Sequence, residues 1–319
     1  MRYFALLLLL PLFSLAQESK PKAKSTWYIK AAVGYGTKGF LPQEFAVKSI
    51  YPSNTSLTVT DGSIQDMTNN VDSVNQTSLV HDTYSKGFNY LFAFGVKFPS
   101  RLGLELGVLW LQGGSIKSRS VIEGNALLGS GAIMNVSTYS RGLAILPAVT
   151  YDFPLGPNWF IQGRFGLSVP VAGAIYHKVD LDGPNAFIGA STAQIVAETK
   201  PTFSLGINGG LGLHRLLGKH FEIFAGLTAQ HMNLFGKKLT VTQYDLTING
   251  VTINQLSPLT ATTYSKEINF VDEINQSSNN KASNPNTDLS KPKDDLRVSS
   301  PFSNVGFGFG LVFNFGHKE

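Results

Sequence analysis

The sequence predicts an all-β protein, a transmembrane antiparallel up-and-down β-barrel of eight strands with long extracellular loops. Three observations lead to this fold class. They are an export signal at the N-terminus, a period-two alternation of apolar residues, and connections that alternate between short turns and long polar loops. Strands that cross an outer membrane show such alternation over about 9 to 11 residues each.

The first 16 residues have the layout of a secretory signal peptide. Arg2 gives a basic start, residues 5–15 are apolar, and Ala16 ends a small-residue cleavage motif. The apolar run is too short for a spanning helix. We therefore expect a signal peptide over 1–16, a short periplasmic segment over 17–26, the barrel over 27–315 and a tail over 316–319.

The composition excludes several classes of protein. The chain has no Cys, which excludes disulfides, thiolate metal sites and a cysteine-linked lipid. Its formal net charge is +5, or +4 once Arg2 leaves with the signal peptide, and no basic stripe is present. No nucleic-acid partner is therefore expected. Only 15% of the residues are charged, whereas Gly numbers 32 and Phe 22, a balance that suits a crowded lumen and a lipid-facing wall.

Eight runs alternate between an apolar face and a face of small or polar residues. They cover residues 27–36, 88–98, 102–110, 142–153, 159–169, 203–214, 221–230 and 304–315. The connections at 99–101, 154–158 and 216–219 are short, and those at 37–86, 113–136, 172–201 and 233–301 are long and polar. Short turns at one end and long loops at the other are typical of outer-membrane barrels.

A β-sandwich with one solvated face is the alternative fold. That face would consist mostly of Gly, Ala and Ser, which suits a lumen better than a solvated surface. Aromatic residues also gather at both ends of the strands, as they do at the two interfaces of a membrane. The barrel is therefore the favoured interpretation.

Three irregular features carry separate expectations. Pro147 interrupts the fourth run, where a bulge would accommodate its missing N–H, whereas Pro170 lies near the loop end of its strand. Asn249-Gly250 predicts a hairpin over residues 239–256 above the membrane, which would raise the count to ten strands if it spanned. Residues 275–295 are rich in Asn, Ser, Lys, Pro and Asp, which predicts disorder.

Inward-facing charges are few, and most fall near the short-turn end of the strands. They are Lys30, Lys97, Glu105, Asp152, Arg164, His214 and Glu222. Lys97 and Glu105 are diagonal neighbours across one turn, and His214 and Glu222 lie nearly opposite across another. We expect an internal ion-pair network, because eight strands leave an interior that side chains can just fill. A small gated pore is the alternative.

Two groups of polar residues could suggest catalysis but lack a surrounding motif. They are His81-Asp82 with Ser85, and His177 with Asp180 and Asp182. The carboxylates of Asp180 and Asp182 alone do not define a calcium site, because calcium needs more oxygen ligands. We therefore predict no enzyme, no cofactor and no metal.

The chain resembles the small outer-membrane β-barrel proteins of Bacteroidota, the PorT-like group among OmpA-like barrels. The opening strand 27–35 (WYIKAAVGY), the segment 143–147 (LAILP, where members often carry Ile-Pro) and the glycine-rich aromatic last strand carry the resemblance. It implies a location in the bacterial outer membrane, in contact with lipid. It implies no particular activity, because the group is diverse. One member serves protein secretion, and that role cannot be carried over residue by residue.

The C-terminal strand also resembles the signal that the barrel-assembly machinery recognises. Gly310, Phe313 and Phe315 match its glycine, hydrophobic and aromatic positions, although Gly316 to Glu319 follow where many members stop. The resemblance implies that this machinery is a partner during biogenesis.

The expected function is that of a structural scaffold whose extracellular loops bind a partner. An envelope protein, a surface glycan or a host molecule could fill that place, since function often lies on loops held by a rigid scaffold. A small passive pore for solutes is the alternative, and loops that only shield the surface are a third possibility.

Overall fold

The computed structural model describes residues 25–38, 46–48, 57–60, 63–66, 73–76, 83–123, 132–185, 189–254, 266–281, 283–288, 290–297 and 299–315. The expected signal peptide and the 316–319 tail lie outside the described residues. In the described ranges the chain is all-β, and no helix there is long and apolar enough to cross a membrane.

The strands follow one another from β1 to β19. They are β1 (Thr26–Lys38), β2 (Ala46–Lys48), β3 (Leu57–Thr60), β4 (Ser63–Asp66), β5 (Ser73–Gln76), β6 (Gly87–Lys97), β7 (Leu102–Gly113), β8 (Ile116–Glu123), β9 (Ala132–Pro154), β10 (Trp159–Asn185), β11 (Gly189–Pro201), β12 (Gly206–Leu217), β13 (Phe221–His231), β14 (Asn233–Ile248), β15 (Val251–Asn254), β16 (Glu267–Val271), β17 (Lys293–Leu296), β18 (Ser299–Pro301) and β19 (Asn304–Asn314).

Eight of these strands close into an antiparallel barrel in the order β1, β6, β7, β9, β10, β12, β13 and β19. Each pairs with the next, and β19 pairs back onto β1. The predicted eight-stranded barrel is confirmed. We call the end with the short turns the lower end.

The outer wall of the barrel is apolar. Large side chains remain exposed on every strand, among them Trp27, Phe92, Leu106, Val149, Phe165, Leu211, Leu227 and Phe309. Water would not favour so continuous an apolar surface, whereas the hydrocarbon core of a bilayer does.

Two barrel strands continue far above the others. β9 has 23 residues and β10 has 27, compared with 11 to 13 in the remaining six. Their upper halves pair with β8 and β11, and β14 then joins β11, while β16 joins β14. We call this assembly of β8, β11, β14, β16 and the upper halves of β9 and β10 the upper domain.

An apolar core fills the upper domain and continues down into the barrel interior. Its buried members include Ile116, Val136, Ile175, Val179, Leu181, Ile195, Leu239, Val241 and Ile268. The expectation that 113–136, 172–201 and 233–301 are loops is therefore wrong for much of their length. In these segments the polar residues face outward and the apolar ones face inward, the reverse of the arrangement in the lower wall.

The hairpin at Asn249-Gly250 is confirmed, and it belongs to the upper domain rather than to the membrane wall. β14 and β15 pair across it. The φ angles are 49° at Asn249 and 80° at Gly250, the left-handed pair that a type I′ turn requires.

The predicted disorder of 275–295 is wrong for the described residues of that segment. Asn279 holds it together: its amide group donates to the carbonyls of Asp288 at 2.9 Å, Lys291 at 3.3 Å and Pro292 at 2.9 Å. Its Oδ1 accepts the N–H of Asp288 at 2.8 Å. Short polar side chains can order a loop in this way without an apolar core.

The bulge expected at Pro147 is absent, because the ladder between β9 and β10 keeps its register past that residue. The ladder is only interrupted there, and lumen side chains hydrogen-bond the backbone instead. The amide of Asn208 donates to the carbonyl of Leu167 at 2.6 Å, and Arg164 donates to that of Leu146 at 3.4 Å. The Asn208 amide thus stands in for the N–H that proline lacks, because the β9–β10 register puts Leu167 opposite Pro147.

The bulge lies instead between Pro170 and Ala172, in the middle of β10 rather than near its end. Below it Ser168 faces the interior, and above it Ile175 and His177 do. One extra residue thus exchanges the inward and outward faces of the strand.

The ladder on the other side of β10 is interrupted at the same height. β10 pairs with β12 up to Ser168 and with β11 from Ile175 upward, and the two ladders share one register. Among the described residues, 169–174 have no ladder partner on this side. We call 169–174 and the facing residues 202–205 the wall break.

The chain opposite β10 turns away toward β14 at the wall break. The N–H of Thr202 donates to the carbonyl of Phe235 on β14 at 2.7 Å. Pro170 and Pro201 have no N–H to give, so both sides of the break lack a donor. Phe203 is 77% exposed on the outer wall.

Candidate functional site

The predicted lumen charges meet in two groups near the lower end of the barrel. Glu105 is the centre of the first. Its Oε2 lies 2.9 Å from Nζ of Lys30, its Oε1 lies 2.7 Å from Nε of Arg164, and the hydroxyl of Tyr28 donates to Oε2 at 3.0 Å. Lys30 also donates to Gln162 at 2.9 Å. A buried carboxylate is stable here because charged donors surround it.

Glu222 is the centre of the second group. Nζ of Lys97 lies 3.0 Å from its Oε1, and Nδ1 of His214 lies 3.2 Å from its Oε2. The amide of Asn314 donates to Oε1 at 2.9 Å, and Lys97 also contacts Asp152 at 3.3 Å. The residues Lys30, Lys97, Glu105, Arg164, His214 and Glu222 thus form one lumen charge cluster together with Asp152.

One of the two expected neighbour relationships holds, since His214 contacts Glu222 across their turn, and the other does not. Lys97 does not bind its diagonal neighbour Glu105; it binds Glu222 and Asp152. Glu105 instead binds Lys30, which reaches it across the interior from a strand that is not adjacent. Three cations therefore balance three carboxylates.

Three neutral residues complete the network without having been singled out from the sequence. Gln162 links the two groups, since it accepts from Lys30 and donates to Asp152 at 2.9 Å. Tyr28 and Asn314 each bind one carboxylate. In the sequence, their role in the network was indicated only by their positions on the inner face of the alternating pattern.

Aromatic rings fill the remaining width at the level of the cluster. The ring of His214 stacks between those of Phe160 and Phe224, with centroid distances of 4.8 Å to each. Nζ of Lys97 lies 4.6 Å from the centroid of Phe160. The cross-section is therefore occupied by packed and paired side chains.

A cavity of about 110 Å³ lies above the cluster. Apolar residues form much of its wall, and Lys30 and Arg164 contribute to it from the cluster. Higher still, the buried side chains of Tyr84, Met232 and Phe302 belong to the apolar core that continues into the upper domain.

The group around His177 is not assembled as a site. Nδ1 of His177 lies 3.3 Å from the hydroxyl of Thr138 and Nε2 lies 3.1 Å from that of Thr199. His177 faces the core, while Asp180 is on the opposite face of β10, paired with Lys178 at 3.1 Å. Burial lowers the pKa of His177 to about 4.

The other predicted candidates give no assembled site either. His81 and Asp82 lie outside the described residues, and Ser85 is buried with its hydroxyl 3.0 Å from that of Thr83. Among the residues that the structure describes, no group of three His, Cys, Asp or Glu side chains could hold a metal ion.

The proposed assembly signal lies on β19 and just beyond it. Gly310 packs so closely on β1 that an added Cβ would collide with the backbone of Ala31. The ring of Phe313 contacts that of Phe221 at 5.1 Å and that of Phe315 at 5.0 Å. Phe315 is 51% exposed on the outer wall. Recognition by an assembly machinery stays a prediction.

No protein-family model matches the chain, and no curated protein matches it significantly. Among solved structures, the chain is similar to the solid-state NMR structure of outer membrane protein AlkL in DMPC lipid bilayers. The identity is 9%, the match covers 95% of each chain, and the TM-score is 0.30.

Proposed function

We propose that this chain is an outer-membrane protein whose closed barrel is a scaffold for the upper domain, and that this domain binds a partner outside the cell. The upper domain is the observation that carries the proposal. Two barrel strands extend into it without a linker, and an apolar core holds it together. A loop that served only as a shield would need neither feature.

The apolar outer wall and the two-ended arrangement support the outer-membrane location. Short turns lie at the lower end and the folded domain at the other, which matches periplasmic turns and extracellular segments of bacterial barrels. Membership of the PorT-like group stays a prediction.

The lumen charge cluster favours a scaffold over the alternative, a passive pore. Glu105 and Glu222 are 3% and 0% exposed, and their partners occupy the width of the lumen. The cavity above the cluster is the observation that favours a pore, but it would conduct only if the cluster opened. Breaking such buried pairs is costly.

An exposed strand edge favours a protein as the partner. β15 pairs with β14, and all four of its residues are exposed, including Val251 at 64% and Ile253 at 41%. An extended peptide can add to such an edge through backbone hydrogen bonds, while pockets or apolar side chains give specificity. A glycan would not use these backbone groups in the same way.

The test compares proteins cross-linked to the chain in intact outer membranes. The double variant V251K/I253K should lose the partner, because two charges replace the apolar side chains that would contact the added strand on this face. Its barrel should still insert and shift on gels when heated. Asn254→Lys, on the other face of the same strand, is the matched control. If the wild-type chain captures nothing, or if V251K/I253K captures the same proteins in the same amounts, the binding proposal is wrong.

A further inference from the structure

An apolar chamber lies directly behind the wall break. Its volume is about 40 Å³. Pro170 and Gly173 of β10 and Pro201 of β11 line it on the side of the break, and Met232 and Phe302 line it from inside. The chamber therefore extends from the interrupted ladder to the interior of the barrel.

The chamber adjoins the larger lumen cavity. Leu109, Leu111 and Gln230 line both spaces. Their combined volume is similar to that of an apolar cavity of about 150 Å³ that holds benzene in another protein. The two spaces can thus take about six carbons, the terminal segment of a single alkyl chain. The lumen charge cluster closes the lower end, so the space ends blindly.

Exposed apolar side chains surround the mouth of the wall break, which the proposed outer-membrane location would place against lipid rather than water. Val171 is 50% exposed, Phe203 77% and Leu205 57%, and all three lie at the break on the outer wall. A closed barrel normally satisfies its backbone groups in the wall, so an interruption at this height needs a reason. Pro170 and Pro201 reduce the number of N–H groups that the interruption would strand.

Cationic side chains stand at the top of the wall break. Arg141 pairs in register with Ala174, the uppermost residue of the break, and is exposed. Lys200 follows Thr199 on the facing strand, and its side chain is 66% exposed beside Glu198 at 3.5 Å. The guanidinium of Arg141 lies 5.4 Å from the ring centroid of Tyr139. Basic and aromatic side chains together are typical of the head-group region of a membrane.

We propose that the wall break is a lateral binding site for a single-chain anionic amphiphile, of the chemical class of a long-chain fatty acid. The terminal carbons of the alkyl chain pass between 169–174 and 202–205 into the chamber and toward the lumen cavity, while the rest of the chain lies along the break on the outer wall. The carboxylate stays outside, near Arg141 and Lys200. One chain fits because the chamber is narrow and ends blindly, whereas a phospholipid would have to leave its second chain outside.

The test uses a palmitic acid analogue that carries a diazirine at its terminal carbon, with the full-length protein in phospholipid nanodiscs. After illumination, peptide mass spectrometry should find the label on Leu109, Leu111, Met232 and Phe302 inside the barrel. Label confined to lipid-facing residues such as Phe165, Phe203 and Leu211 would overturn the proposal. So would equal interior labelling by a phospholipid that carries the same chain.

A reversible closure tests the route. The chain has no cysteine, so V171C/F203C places the only two thiols on opposite sides of the wall break. Oxidation should suppress interior labelling, and reduction should restore it. L167C/I207C is the matched control, since these residues are register partners in the intact ladder. Leu109→Trp, which fills the junction of the two spaces, should remove interior labelling whether or not the thiols oxidise. Unchanged labelling in Leu109→Trp or in the oxidised V171C/F203C protein contradicts the proposal.

The head-group site is tested by charge. R141Q/K200Q should weaken interior labelling by the acid about fivefold, the size expected for exposed ion pairs, and leave the corresponding fatty alcohol unchanged. An equal loss for acid and alcohol would contradict the assignment of the carboxylate to these cations.

Discussion

Lys30 and Glu105 meet inside the barrel with Nζ and Oε2 2.9 Å apart, although β1 and β7 are not neighbours in the wall. Their side chains are 5% and 0% exposed, so both charges have lost their water. Arg164 reaches the same carboxylate from β10. The carboxylate of Glu105 therefore connects three strands through the interior, in addition to the hydrogen bonds of the wall.

Removing this carboxylate should destabilise the barrel strongly. Glu105→Gln leaves Lys30 and Arg164 without their counter-charge, and breaking a buried pair from one side costs about 3–5 kcal/mol. The double variant E105Q/K30M should be less destabilised, since it removes one of the stranded cations. The midpoint of heat-induced change in gel migration measures the effect.

The control for the ion pairs is Lys178→Gln in the upper domain. Its pair with Asp180 is nearly half exposed on both sides, so the loss should stay below about 1 kcal/mol. A double variant E105Q/K30M that unfolds more easily than Glu105→Gln would show that the cluster does not act through charge compensation.

The wild-type protein should show no steady conductance in planar bilayers. The reason is that the cluster and the stacked rings of Phe160, His214 and Phe224 occupy the lumen and should block the passage of water and ions. His214→Ala, which removes the middle ring, should give brief openings. A large and constant wild-type current would support the passive pore instead.

Replacing Phe313 and Phe315 by Ser should reduce insertion into the outer membrane and increase degradation in the periplasm. The reason is the resemblance of these positions, with Gly310, to the assembly signal. F307S/F309S on the same strand is the matched control, because these residues are 56% and 61% exposed in the wall but lie outside the signal. Quantitative blots of membrane fractions measure insertion. Equal insertion of the two double variants would remove the signal hypothesis.

The upper domain should lose stability in mild acid through His177. Burial lowers its folded-state pKa to about 4, below its ordinary value of 6.5, so the unfolded state binds the proton more readily. Neutral His177 makes its full contribution to the free energy of unfolding above pH 6.5. That contribution, up to about 3 kcal/mol, is lost as the pH falls toward 4. Hydrogen exchange of β10 and β11 amides against pH measures it. His177→Gln should flatten this dependence, and an unchanged slope in the variant would contradict the assignment.

The lower wall of the barrel was predictable from the sequence, and the upper domain was not. In the lower wall an apolar residue faces outward at every second position, as at Phe92 and Phe94, so the alternation is plain. In the upper domain Lys178 and Asp180 face outward while Val179 faces the core. The segment is therefore polar on average and resembles a loop.

The choice of partners in the lumen could be predicted only in part. Period two places Lys30, Lys97 and Glu105 on the inner face, but it gives no distance across the barrel. The expectation of neighbours across a turn holds for His214 with Glu222 and fails for Lys97 with Glu105. The closed curvature of the wall instead brings Lys30 to Glu105 and Lys97 to Glu222.

Because of the bulge between Pro170 and Ala172, the number of residues in the middle of β10 cannot change without exchanging the inward and outward faces of the strand. Deleting Val171 would return β10 to a single phase, so Ile175 and Val179 would point to water and Lys178 into the core. Inserted residues at the Asn249-Gly250 turn would not exchange the faces of a strand, so this turn can tolerate insertions. Variants of this protein that remain folded should therefore differ in length at the hairpin tip and keep the residue count between Ser168 and Ile175.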